Sequence, residues 1–331
     1  MKISRRQFVK AMAAMSAASM LAACGGNSGS GSSGGKKALT FQIWDVAQKE
    51  GMEAMCAAYT QQHPEVSIEV QVTSWNEYWT KLEAAATSNQ MPDIFWMHTN
   101  ELLKYADNGM LADCSDIVEK DKFSEISLSN AMGSNGTLYA VPKDKDTVGL
   151  VYNKEMFDAA GVAYPDENWT WDDLVSASEK IYAATGKYGY MAYADDQLGY
   201  WNFVYQAGGY ILNEDKTKAG FTQPATEKAM KFYIGLQQND WCPDQTYFAE
   251  TAPGTAFFSE KGAMFLEGDW NILAELQNYP EMVGKWDVAV LPKCPDPESG
   301  DGRATISNGL CYATAASNKN LDTVKDILKF F

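Results

Sequence analysis

Apolar positions along the chain repeat with two periods, and the switches between them mark out the elements. Leu39, Phe41 and Ile43 alternate with other residues over 39–44, which predicts a strand. Met52, Met55, Cys56 and Tyr59 then follow at i, i+3, i+4 and i+7, so 47–62 reads as a helix that Pro64 stops. Val66, Ile68, Val70 and Val72 alternate strictly in a second strand, Asn76 is placed to cap a helix reaching 89, and 93–97 is a short apolar strand. This β-α-β-α-β order favours a parallel sheet layered with helices.

Further along, 140–153 is mostly extended, and Thr170 caps a helix over 171–184 with Asp173 at its third position and Gly186 as its stop. Helices are predicted over 226–238 and 269–277, and strands over 263–266, 288–291 and 310–314. Residues 321–331 fit an amphipathic helix with Val324, Ile327, Leu328 and Phe331 on one side. Neither glycine nor a polar turn closes it, so the chain is expected to stop mid-protein, with the C-terminal part of its fold missing.

Composition narrows this picture. A chain of 331 residues, 46% hydrophobic, has room for two lobes with their own cores. With 43 acidic against 27 basic residues and a net charge of −16, it is a poor partner for nucleic acid, which calls for clustered Lys and Arg. Neutral or cationic small ligands stay open.

Residues 1–23 read as an export signal: Lys2, Arg5, Arg6 and Lys10 precede an uncharged run of small and apolar residues. About 13 apolar residues at 1.5 Å each reach roughly 20 Å, short of the ~30 Å hydrocarbon core of a bilayer. The run Leu21-Ala22-Ala23-Cys24 is similar to a lipobox, implying cleavage before Cys24 and its lipidation; ordinary signal cleavage is the alternative. Arg5-Arg6 fits either a twin-arginine or a plain secretory signal. The Gly/Ser-rich stretch completing 24–35 reads as a flexible tether holding the globular part near the membrane.

The remaining cysteines, Cys56, Cys114, Cys242, Cys294 and Cys311, are widely separated, and the only histidines are His63 and His98. Metal and redox motifs need close ligand pairs, so no metal site is expected; one disulfide is possible but unplaced. No Walker or G-x-G-x-x-G pattern is present, and no cofactor is expected.

Ten tryptophans are the chemical signal that stands out, and several fall at predicted strand ends: Trp44 before Asp45, Trp75 after the second strand, Trp96 in the third. Ligands of α/β sheets bind beyond the carboxyl ends of strands. An indole face stacks on the C–H face of a sugar ring while short carboxylates and amides take the hydroxyls. Trp270, opening a helix after a buried strand, and Asp146, between two extended segments, are further candidates. Core packing would account for any single tryptophan, and a solvated loop for Asp146. A glycan-cleaving hydrolase needs two carboxylates across the scissile bond, and no pair is marked here.

Several strings together resemble extracellular solute-binding protein family 1, the sugar-binding lipoproteins of bacterial ABC importers that include the maltose-binding proteins. They are Met91-Pro92-Asp93-Ile94-Phe95-Trp96-Met97 with Gly109-Met110-Leu111-Ala112-Asp113; Tyr139-Ala140-Val141-Pro142 through Val151-Tyr152-Asn153-Lys154-Glu155-Met156-Phe157; Trp169-Thr170-Trp171-Asp172-Asp173-Leu174; Gly208-Gly209; Gly268-Asp269-Trp270; and Val290-Leu291-Pro292. The resemblance implies an α/β, two-lobed periplasmic-binding-protein-like fold (type II), with mixed, mainly parallel sheets flanked by helices. Lobe crossings are expected near 146–149 and 289–292, giving a first lobe of 36–146 plus 292–331 and a second of 147–291.

The resemblance also implies ligand contacts at Trp96, His98, Thr99, Asn100, Asp146, Asp196, Trp201 and Trp270, to which position adds Trp44, Asp45, Trp75 and Asn308. Trp96 and Trp270 are expected to face each other as the jaws. The implied activity is non-enzymatic capture of a mono- or oligosaccharide by a monomer, lipid-anchored at the outer face of the cell membrane and delivering to ABC permease subunits. A hydrolase, or a receptor for another solute such as a polyamine, is the competing reading.

Overall fold

The structure, a computed structural model, describes residues 36–213 and 217–331. The leader, Cys24 and the tether lie outside the described residues. Two five-stranded sheets each organise a separate core.

The first sheet has the order β2-β1-β3-β10-β4, built from β1 (Lys37–Ile43), β2 (Val66–Val72), β3 (Ile94–His98), β4 (Val141–Pro142) and β10 (Leu310–Ala313). The helices α1 (Lys49–Gln62), α2 (Trp75–Thr87) and α3 (Thr99–Asp107) link and follow its first three strands. Strict alternation works out as read: Leu39, Phe41 and Ile43 are buried, and β1 pairs in parallel with β2 from Lys37 opposite Val66 to Ile43 opposite Val72. Strand β3 is buried on both faces.

The second sheet runs β6-β7-β5-β8, with β9 (Ser307–Asn308) beside the start of β5. Its strands are β5 (Asp146–Asn153), β6 (Tyr188–Tyr190), β7 (Gly262–Gly268) and β8 (Trp286–Ala289). Around it pack α4 (Lys154–Ala160), α5 (Trp171–Thr185), α6 (Trp201–Gln206), α7 (Pro224–Leu236), α8 (Pro253–Phe258) and α9 (Ile272–Asn278). The predicted cap of α5 is a full capping box: Thr170 N–H donates to Asp173 Oδ2 at 2.9 Å, and the Thr170 hydroxyl accepts from the Asp173 N–H. Gly186 ends it in the left-handed conformation, with φ 66°.

Both sheets are mixed, and parallel pairing is confined to β2-β1-β3 and β6-β7, less than the mainly parallel arrangement expected. The cause is lobe crossing: β10 and β5 enter each sheet from the other lobe and run antiparallel to their neighbours. The chain passes to the second lobe at 143–146 and returns at 308–310, where Asp146 pairs with Asn308. A return at 289–292 is overturned by packing, since Leu291, Cys294 and Ile306 belong to the second core. The last helix, α10 (Leu321–Phe330), turns Val324, Ile327 and Leu328 into the first core. The five cysteines among the described residues are all free and buried.

Candidate functional site

A cavity of about 330 Å³ lies between the lobes beside both crossings. Trp44 and Asp45 reach it because they follow the carboxyl end of β1; His98 because it ends β3; Trp75 because Ser74 breaks the chain into α2. Leu310, opening β10, completes the first-lobe wall with Gln48. Across from them the second lobe supplies Asp195, Gln197 and Leu198 from the turn before α6, and Trp270 and Asn271 from the turn after β7. Asp146 and Asn308 line it from the crossing itself.

The aromatic wall is rigid because its rings brace one another. Trp44 meets Trp75 at 5.1 Å, Tyr78 at 4.9 Å and Trp96 at 5.1 Å between centroids, all edge to face. Trp270 is half-buried against the second core, its indole lying over Gly268, where a Cβ would come within 2.3 Å of the ring.

Polar groups are held as firmly. Asp45 accepts from the Ala47 N–H at 2.8 Å and from Gln48 Nε2 at 2.9 Å, and Gln48 Oε1 accepts from Lys143 Nζ at 2.9 Å. Lys143 is also paired with Asp144 and lies 4.7 Å over the Trp96 ring. Asp195 Oδ1 accepts from the N–H groups of Gln197 and Leu198, at 2.8 and 2.7 Å. Asn308 Nδ2 donates to Gln197 Oε1. His98 Nδ1 accepts the Asn100 N–H at 3.2 Å, so the neutral ring carries its proton on Nε2 and presents a donor. Burial holds His98 down at about 4, which keeps it neutral at physiological pH. Burial, with Asp144 and Asp269 nearby, pushes Asp146 up to about 7. The cavity thus combines flat apolar faces with fixed acceptors and donors, the equipment for a polyhydroxylated ring.

Residues 44–331 match the family described as bacterial extracellular solute-binding protein. The chain belongs to that family. The diacetylchitobiose-binding protein DasA of Streptomyces coelicolor is 25% identical over 97% of this chain and 77% of its own length. An arabinooligosaccharide-binding protein of Bacillus subtilis is 26% identical over 94% and 72%. Among solved structures, the substrate-binding protein Lmo0181 from Listeria monocytogenes, in complex with cycloalternan, shares the fold at a TM-score of 0.78 and 24% identity, covering 89% of this chain and 75% of that one.

Within this solute-binding protein, seven residues singled out from sequence come together on the cavity: Trp44, Asp45, Trp75, His98, Asp146, Trp270 and Asn308. Five do not. Trp96 is fully buried under Trp44 in the first core, so it is no jaw, and Trp44 and Trp75 form that wall instead. Thr99 and Asn100 open α3, and the Asn100 N–H is committed to His98. Asp196 misses the cavity by one residue; its neighbour Asp195 occupies the place expected for it. Trp201 packs against the second core at the start of α6. Sequence reasoning missed Gln48, Asp195, Gln197, Leu198, Asn271 and Leu310. Asn271 was within reach, one residue past Trp270; the 195–198 turn carries no periodic signal.

Proposed function

We propose that this chain is an extracellular receptor that captures a sugar between its two lobes and hands it to the permease of an ABC importer, as a monomer tethered through lipid at Cys24. The observation that carries this is the placement of Trp44 and Trp75 on one wall and Trp270 on the other, with the hydrogen-bonding groups of Asp45, His98, Asp146, Asp195 and Asn271 between them. Stacking supplies apolar contact at about 1 kcal/mol per ring, and the short polar side chains fix orientation. Relatives named for diacetylchitobiose and arabinooligosaccharides support a saccharide as guest. The cavity is at the small end of ligand pockets, roughly 300 to 1,000 Å³, which suits a short saccharide or one end of a longer one.

A thermal-shift screen of the protein against a glycan panel tests the reading. A true ligand at 100 times its dissociation constant adds about 2.7 kcal/mol of stability. No shift with any glycan would refute sugar capture. Chromatography of each glycan after incubation should return it uncut. The anchor has its own test: Cys24→Ser should move the protein from the membrane fraction to the soluble fraction.

A further inference from the structure

Behind the sugar cavity lies a second one of about 360 Å³, and Asn271 and Leu198 line both. The far side of Asn271 meets a carboxyl pair. Glu267, on β7 and only 5% exposed, accepts at Oε1 from the Gly268 N–H at 2.8 Å and from Asn271 Nδ2 at 2.9 Å. Glu275, on the first turns of α9, lines the same cavity beside Glu267, with its Oε2 enclosed. Gly254 closes over the pair so tightly that a Cβ there would come within 2.7 Å of Glu275 Oε1.

Two carboxylates enclosed side by side repel each other and lose solvation, so one of the two keeps its proton. With Glu267 as the acceptor of two N–H groups, Glu275 is the side that holds the proton. An amide whose nitrogen is committed to Glu267 keeps its carbonyl oxygen free for other partners. We propose that Glu267 is a positioning residue for sugar binding: it fixes the Asn271 amide so that Oδ1 is presented to the cavity as an acceptor for a ligand hydroxyl. This rests on the reading of the cavity as a sugar site.

The pair also sets a pH limit. Burial raises both carboxyls above their ordinary range, Glu275 to about 9 with Glu267 adding to the rise, and Asp195 adds to that of Glu267. The other titratable groups around the second cavity are Tyr193 and Tyr279; the 252–255 segment supplies none. Losing that proton leaves two enclosed like charges under Asn271, so affinity falls as pH rises through the Glu275 titration.

Calorimetric titration of the full chain with lactose, maltotriose and diacetylchitobiose tests this. At pH 7, E267A and N271A should each weaken binding about tenfold, and the double variant should be no weaker than either, because Glu267 acts through Asn271. E267Q, whose amide oxygen still accepts from Gly268 and Asn271, should recover most of the loss. Between pH 7.5 and 10 wild-type affinity should fall several-fold further than that of E275Q, which cannot ionise. Additive losses in the double variant, or parallel pH profiles for wild type and E275Q, overturn the inference while leaving sugar capture standing. Wild-type protein that binds none of the three, nor any glycan of the thermal-shift panel, overturns both. Should E267A not fold, the E275Q comparison decides alone.

Discussion

An indole serves a sugar only where one face stays open, and packing separates the tryptophans on that basis. Trp96 is spent in the core, while Trp44 is braced above it and lines the cavity. Trp270→Ala should weaken sugar binding about tenfold, since one good stack contributes about 1 to 1.5 kcal/mol, and titration calorimetry reads it directly. Gly268→Ala should lose affinity too with the indole still present, because the added Cβ takes the space where the ring lies. Asp146 carries a stability signature instead. Its carboxyl holds a proton to about pH 7 in the folded chain but only to its ordinary range near 4 when unfolded, so the folded state binds more protons between these values. Stability from this group is therefore highest at acid pH and declines as pH rises from 4 to 7. Asp146→Asn should flatten that slope and raise Tm at pH 8, by on the order of 2 °C once solvent screening is allowed for. A steeper slope in the variant would contradict the assignment.

At the scale of elements, the capping box of α5 was written in its residues: Thr170, Asp173 and Gly186 each sit where helix termini want them. Thr170→Ala removes the side-chain acceptor and should cost about 1 kcal/mol, a drop of roughly 2 to 4 °C in Tm, while Thr170→Ser should recover most of it. Strands β1 and β2 were equally legible, because strict alternation has one structural meaning when one face is buried. The failures have physical causes. Thr99 and Asn100 are short and polar like binding residues, but the same traits suit a helix start, and backbone geometry chose the helix. The 195–200 turn contains a Gly199 with φ −145° and ψ −121°, a local bend set by tertiary contact that no periodicity announces, and it shifts the acidic cavity residue from 196 to 195. Strand β9 is two residues long and exists only through its pairing with β5, so the return crossing could not be read from 289–310 in isolation.

At the scale of the molecule, both crossings run side by side through Asp146 and Asn308, leaving the two lobes joined along one edge of the cavity. That arrangement permits rotation of one lobe against the other about the shared strands. A ligand can shift the balance of open and closed forms only by binding one of them better. A sugar resting on Trp44 and Trp75 alone touches a wall present in both forms, so preference for the closed form must arise on the second-lobe wall, where Trp270 stands with Asp195, Gln197, Leu198 and Asn271. Small-angle scattering of wild-type protein should therefore show a smaller radius of gyration at saturating sugar than without it. In Trp270→Ala the sugar, raised in concentration until sites are again full, should compact the protein less. Equal compaction in the variant would place the closing contact elsewhere on the second lobe, with Asn271 and Gln197 next in line; no compaction even in wild type would mean that the lobes already stand closed around an empty cavity.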